Sequence, residues 1–294
     1  MTTMQAPVRR ERVQVAGTSL SYLYSGDDQA PPLLLLHGFW SRVWLPVLPA
    51  LGTTSRCIAL DLPGFGRSEG ELDISDATVP ALAEKVRAAA DALGLDSFDL
   101  AGHDIGGGIA QHLAATSGRV NRLVLMNSVL FDSWPVPAVE RFRDPRVRAA
   151  TTAQELLEAR AESTQRAVKR TLSEEELGDY LSPWTEPGRH RSWMAMAAAA
   201  DPRYTLDLVP LLQEARIPTR LVWGSEDDFQ KSASRTATLT RSRDRISSKS
   251  TANTSRPKIH RRPSPRPSWI TSSHDSGRNL PLYRPHGMGT SESA

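Results

Sequence analysis

The sequence predicts an α/β fold: a doubly wound, mostly parallel sheet with an inserted helical cap. Three observations point there. Through the first 130 residues, short apolar runs alternate with stretches of helical spacing, as in strands covered by helices on both faces. Residues with chemistry to offer cluster where the apolar runs stop, and in such sheets ligands bind beyond the carboxyl ends of the strands. From 131 to 206 the alternation gives way to helical sequence rich in Ala, Arg and Glu.

Arg12 to Val15 and Ser19 to Tyr24 read as two strands around Gly17. Pro32 to Leu36 is a continuous apolar run, a buried parallel strand ending in His37-Gly38-Phe39-Trp40. Val43 to Leu51 suits a short helix. Arg56 to Leu60 is the next strand, ending in Asp61-Leu62-Pro63-Gly64-Phe65-Gly66-Arg67-Ser68. Val79 to Leu93 has helical spacing and stops at Gly94. Ser97 to Ala101 leads into Gly102-His103-Asp104-Ile105-Gly106-Gly107-Gly108, and Ile109 to Ala115 is helical. Arg122 to Met126 is another buried strand. The cap carries helical stretches near 151–170, 173–180 and 190–200. Thr219 to Trp223 restores the sheet and runs into Gly224-Ser225-Glu226-Asp227-Asp228-Phe229. The expected organisation is core over 1–130, cap over 131–206, an incomplete return to the core over 207–230, and a tail over 231–294.

The stretch around Asp104 organises the chain. Its G-x-D-x-G pattern at a strand-to-helix turn has the form of a nucleophile elbow, with Asp where Ser is commoner. Such a turn lifts the central side chain clear of the sheet and sets it against the free N–H groups of a helix N-terminus. An ordinary strand–turn–helix corner with an Asp cap is a second reading. A dinucleotide loop fits poorly, because Gln111 follows Gly108 where a glycine is wanted.

Composition excludes several classes. One cysteine, Cys57, provides no disulfide framework and suits a reducing, cytoplasmic setting. Met1 to Arg12 has no apolar centre of the signal-peptide kind, and the longest apolar run, Leu33 to Leu36, is far too short for a membrane span. The tail holds 13 of the 36 basic residues and 3 of the 33 acidic ones, so it carries +10 and the first 230 residues −7. The body therefore has no nucleic-acid footprint, and its expected partner is a small-molecule substrate. Polyanion binding by the tail is an alternative function, but Trp269 and Tyr283 stand alone there, so such binding would be weak and salt-sensitive.

Taken together, His37-Gly38-Phe39-Trp40, the Asp61–Ser68 motif, Gly102-His103-Asp104-Ile105-Gly106-Gly107 and Leu221-Val222-Trp223-Gly224-Ser225-Glu226-Asp227-Asp228 resemble the α/β-hydrolase family. Within it they resemble the epoxide hydrolase and dehalogenase group, which an Asp at the elbow marks. The resemblance implies that Asp104 attacks an electrophilic carbon to form an alkyl-enzyme ester, which a His oriented by an acid then hydrolyses with water. A carboxylate suits the first step because it is ionised at neutral pH. The resemblance assigns the acid to Asp227, with Asp228 as the neighbouring alternative. Asn127 stands where some relatives carry that acid. Backbone N–H groups of Phe39 and Ile105 match the oxyanion hole, where one donor is worth roughly 3 kcal/mol. His37, Gly38 and Trp40 fall at the pocket, with a core role for Trp40 the alternative. Ile105 replaces the Trp of haloalkane dehalogenases and the Arg of fluoroacetate dehalogenases. Tyr180 and Tyr204 are the candidate pair for protonating an epoxide oxygen, or else ordinary amphipathic residues. No metal or organic cofactor is implied. A non-catalytic, ligand-binding member of the fold is the competing function, and the pairing of Asp104 with Asp227 argues against it.

After Gln230 the resemblance stops. Residues 231–294 hold 14 Ser, 7 Thr and six residues in all from Leu, Ile, Val and Phe, too little apolar surface to offset chain entropy, so disorder is expected. His260, His274 and His286 lie outside any family context, and a hydrolase lacking the His would stall at the ester. A shifted reading frame explains the tail: read one base earlier, with third bases chosen freely, positions 254–259 permit His-Phe-Thr-Pro-Glu-Asp, which looks like the family's His loop. DNA sequencing across codons 225–265 is expected to find a single-base insertion or deletion that restores this loop; an intact printed frame overturns the explanation.

Overall fold

The computed structural model of the chain describes residues 5–168 and 170–230. The basic tail, its three histidines and the alternative reading frame lie outside the described residues. Seven strands form one sheet: β1 (Val8–Val15), β2 (Thr18–Ser25), β3 (Pro32–Leu36), β4 (Arg56–Leu60), β5 (Phe98–Asp104), β6 (Val120–Ser128) and β7 (Thr219–Val222). Their spatial order is β1-β2-β4-β3-β5-β6-β7. β1 and β2 form an antiparallel hairpin, β2 joins β4 antiparallel, and every pairing from β4 to β7 is parallel. The doubly wound parallel sheet expected from the alternating runs is therefore present.

The period of two along a strand splits the core. Leu34 and Leu36, Ile58 and Leu60, Leu100, and Leu123 and Leu125 face one side. There α2 (Val79–Ala92) and α3 (Ile105–Thr116) cover them. Leu82, Ala83, Val86, Ala89 and Ala90 line the buried stripe of α2. Each fully buried Leu on this face contributes about 2 kcal/mol. Leu35, Cys57, Ala59 and Ala101 face the other side, against Trp44 and Leu48. This second core is smaller, and Val124 and Met126 remain only partly buried in it. Among the described residues β7 has β6 on one flank and no strand on the other.

Two local expectations shift. The single helix expected over Val43–Leu51 is a 3-10 turn, Ser41–Trp44, followed by α1 (Leu48–Leu51). Pro46 lacks the N–H a continuous helix needs, and Pro49 fits only in the first turn of a new one. The elbow helix begins at Ile105 rather than Ile109. Its three glycines form a buried first turn because the helix lies directly on the sheet. A Cβ on Gly106 would sit 2.6 Å from the Leu36 carbonyl, and one on Gly107 1.7 Å from Ser128 Oγ.

Between β6 and β7 the chain builds α4 (Pro137–Glu140), α5 (Pro145–Ala150), α6 (Ala153–Ala167), α7 (Glu174–Leu181), α8 (Arg189–Ala198), α9 (Arg203–Leu206) and α10 (Leu208–Ala215). Capping boxes of Thr152 with Glu155 and Ser173 with Glu176 start α6 and α7. The insertion is tied to the sheet by polar contacts. Trp40 Nε1 donates to the Tyr180 carbonyl at 3.0 Å, Ser192 Oγ accepts from the Leu72 N–H at 3.0 Å, and Arg67 donates to Ser182 Oγ at 2.7 Å.

The loops leaving β3 and β4 are knotted around Asp61. Its fully buried carboxylate accepts from the N–H of Ser41 (2.7 Å), the N–H of Arg67 (3.1 Å) and Arg10 Nη1 (3.0 Å). A buried carboxylate is tolerable only when so supplied. Beside it, buried His37 accepts the Leu62 N–H at Nε2, 3.0 Å away. Desolvation pushes the His37 pKa down to about 4 against the opposing charge of Asp61, so the ring is neutral at neutral pH.

Because the unfolded chain takes up that proton and the folded one resists it, His37 lowers stability as pH falls from about 6.5 towards 4, by about 3 kcal/mol. Urea unfolding followed across that range is expected to show this loss in the native chain and a shallower one in His37→Gln. In the same assay Gly106→Ala should cost about 2–3 kcal/mol, because its Cβ meets backbone. Gly178→Ala should gain about 0.5–1 kcal/mol, since a Cβ in the middle of α7 meets nothing within 4 Å.

Candidate active site

Asp104 is the last residue of β5 and the residue before α3, at φ +53° and ψ −125°. A non-glycine residue in that region is strained and persists only where its surroundings over-determine it. The surroundings are Gly38 and the Ile105 N–H. A Cβ at Gly38 would lie 2.3 Å from Asp104 Cβ and 2.4 Å from Oδ2, so the β3 loop can rest on the elbow only as glycine. The Ile105 N–H, at the head of α3, lies close enough to the Asp104 carboxylate to favour its ionised form. Gln230 Nε2 donates to Oδ1 at 3.0 Å. Asp104 keeps some solvent access, but desolvation of its carboxylate dominates and raises its pKa. His103, the Gln230 and Ile105 donors, and the Arg160 charge pull the other way.

Asp227 is held as firmly. Its Oδ1 accepts the N–H groups of Phe229 (2.8 Å) and Gln230 (3.0 Å), and its Oδ2 accepts Asn127 Nδ2. Asn127 also accepts the Gly224 N–H at 3.2 Å. Gln230 thus touches both acids, through its backbone N–H to Asp227 and its side chain to Asp104. Its other contacts are Ser133 Oγ, which donates to Oε1 at 3.2 Å, and Trp223 Nε1, which donates to its carbonyl at 3.1 Å.

The remaining candidates separate into groups. Phe39 follows Gly38 and packs its ring against Trp184 (5.6 Å between centroids) and Tyr180 (6.3 Å). Arg42 stands over the Tyr180 ring at 4.7 Å. Tyr204, on α9, packs against the larger core, and α9 touches α3. His37 is enclosed at 1% exposure and Trp40 at 2%, each spent on a backbone hydrogen bond. A narrow cleft lined by Phe39, Phe65, Gly66, Pro183, Trp184 and Arg189 lies between core and cap, one ring from the elbow.

Among the described residues no histidine is bonded to Asp227. The His103 ring turns its edge to Trp44, 6.4 Å away, and burial lowers its pKa against the pull of Asp104 and Asp227. His112 lies on α3, and His190 on α8. Among the described residues no group of three His, Cys, Asp or Glu is arranged to hold a metal, and no helix is long and apolar enough to cross a membrane.

Three residues at the site carry no motif of their own. Gln230 is recognisable only through its contacts. Asn127 reads in sequence as a missing acid, yet it holds the acid that is present. Arg160, in α6, has a faint signal: Leu156 and Thr164, one turn to either side, are the buried residues of that helix.

Residues 31–230 match the family described as the alpha/beta hydrolase fold. A soluble epoxide hydrolase of Corynebacterium sp. (strain C12) is 32% identical over 143 residues, which is 46% of this chain and 48% of the relative. A haloalkane dehalogenase of Bradyrhizobium diazoefficiens is 36% identical over 116 residues, 38% of this chain and 37% of the relative. The chain spans about half or less of the length of these curated relatives. Among solved structures, a haloalkane dehalogenase from Bradyrhizobium elkani superposes with a TM-score of 0.65 at 27% identity, covering 80% of this chain and 86% of that one. By sequence match, sheet order and elbow geometry together, the chain belongs to the α/β-hydrolase fold family.

Proposed function

We propose that the protein is a hydrolase of the epoxide hydrolase and haloalkane dehalogenase type, with Asp104 as its nucleophile. The observation that carries this reading is the strained Asp104 at φ +53°, at the head of α3 with its side chain against Gly38. In the first step one carboxylate oxygen attacks the electrophilic carbon. The new C–O bond forms as a carbon–halogen bond releases halide, or as an epoxide C–O bond opens to an alkoxide that then takes a proton. Water must next add to the ester carbonyl, releasing the alcohol and regenerating the carboxylate. The Ile105 N–H, with the Phe39 N–H as its proposed companion, would stabilise the oxyanion of this second step. Asp227 has the form of the acid that orients a base, and the name borne by the relatives supports the substrate class.

The second step is the weak one. His37 is neutral and bonded to Leu62, the His103 ring edge meets Trp44, and His112 and His190 lie on α3 and α8. None of these is engaged with Asp227, so the ester should outlast the step that forms it. On this reading of the described residues, turnover is slow.

Intact mass spectrometry after exposure to a simple epoxide or alkyl halide should show a persistent single adduct, mapped by peptide analysis to Asp104 and absent from Asp104→Asn. Multiple turnover without an adduct would remove the claim of impairment, and neither turnover nor adduct would remove the nucleophile. Only ionised Asp104 attacks, and burial raises its pKa. Adduct formation should therefore rise with pH through a midpoint above that of an ordinary carboxylate.

A further inference from the structure

The cap brings a cation to the site that the fold itself does not use. Arg160 lies between Leu156 and Thr164 on α6, so helical spacing turns it inward. Its guanidinium stands 4.6 Å from the centroid of Trp193 and 5.5 Å from that of Trp184. Trp184 in turn packs on Phe39, the residue after the glycine that touches Asp104. Arg160 Nε is sealed from solvent and has no acceptor. Among the described residues Asp104 is the carboxylate whose charge acts on it. Desolvation lowers the guanidinium pKa only to about 10, so the charge persists at neutral pH.

A guanidinium Nε sealed from solvent with no acceptor among the described residues is costly, and the cost is relieved when an anion supplies one. The form of the group says which anion. The indole rings offer it no hydrogen-bond acceptor, and the N–H groups of a guanidinium lie in its plane, the fork that matches a carboxylate bidentately. An organic anion approaching the ionised Asp104 also needs a compensating cation nearby, and Arg160 is one that Asp104 already feels. Stabilising the departing group suits Arg160 less well. A halide or alkoxide engages one point rather than a fork, and a guanidinium does not give up the proton that an alkoxide requires.

We propose that Arg160 anchors a carboxylate of the substrate, so that the site selects short organic acids bearing an epoxide or carbon–halogen bond over their neutral counterparts. The proposal rests on the reading of Asp104 as nucleophile, but it is tested separately from it.

Oxirane-2-carboxylate and oxirane-2-carboxamide share a skeleton and differ in charge. At low probe concentration the acid should alkylate Asp104 of the full chain about tenfold faster or more. Arg160→Met should erase that advantage, bringing the acid-to-amide ratio to about one whatever loss the two probes share through the weaker ionisation of Asp104, and Arg160→Lys, which keeps the charge without the fork, should retain part of it. Equal rates for acid and amide in the native chain would overturn the proposal without any variant having to fold. An acid-to-amide ratio in Arg160→Met that matches the native chain's would overturn it. Calorimetry with butanoate against butanamide needs no reaction at Asp104. If neither oxirane reacts, the nucleophile reading fails alone. Arg160 is then judged on butanoate, whose preferential and Arg160-dependent binding supports the anchor, and whose failure to bind better than the amide overturns it.

Discussion

One steric constraint governs the site. The turn from β5 into α3 must pass through space already occupied by the ends of β3 and β6. Side chains are absent wherever that passage is tightest: at Gly38 against Asp104, at Gly102 against Gly107, at Gly106 against Leu36, and at Gly107 against Ser128. Asp104 is the functional side chain left standing at the turn, and its positive φ is the conformation the crowding demands. The strain is supportable because β5 is hydrogen-bonded on both flanks and α3 is buried along most of its length. A carboxylate on a loose loop would relax out of that geometry.

Around this turn, polar groups divide by how well they are supplied. Asp61 has three donors and Asp227 three, each drawn from more than one loop, so both act as fasteners whatever else they do. They join the loops after β3 and β4 on one side and those after β6 and β7 on the other. Arg160 is supplied by none of these devices. A fully satisfied buried group is accounted for by the fold, whereas a sealed Nε without an acceptor calls for something the described residues do not supply.

What was legible in the sequence was what is contiguous. Four motifs placed at strand ends locate the loops of the site, because a parallel sheet necessarily brings the ends of neighbouring strands together. The alternating strand residues divide the two cores, since Leu34 and Leu36 must part from Leu35. Where local signals misled, tertiary contact had overruled them. Gly106-Gly107-Gly108 reads as a loop but is the first turn of a helix pressed on a sheet. What was not legible depends on contacts across long separations. Gln230 meets Asp104 over 126 residues, and Asn127 meets Asp227 over 100. In an Arg- and Glu-rich helix, one inward arginine looks like its solvated neighbours.

The electrostatics of Asp104 explain why the position of a cation matters as much as its presence. A nucleophilic carboxylate has to be ionised yet poorly solvated, and burial alone works against ionisation by raising its pKa. The Ile105 N–H and Gln230 Nε2 both favour the charge, and Gln230 Nε2 does so by occupying a lone pair of Oδ1. A cation held further back by indole rings lowers the pKa while leaving the oxygens uncovered. That support is conditional. An anion seated on Arg160 would cancel its charge as felt at Asp104, and the two direct donors would then have to keep the carboxylate ionised. The presence of both kinds of support is therefore not redundant: the donors keep the carboxylate charged when the cation is engaged, and the cation lowers its pKa without covering its oxygens.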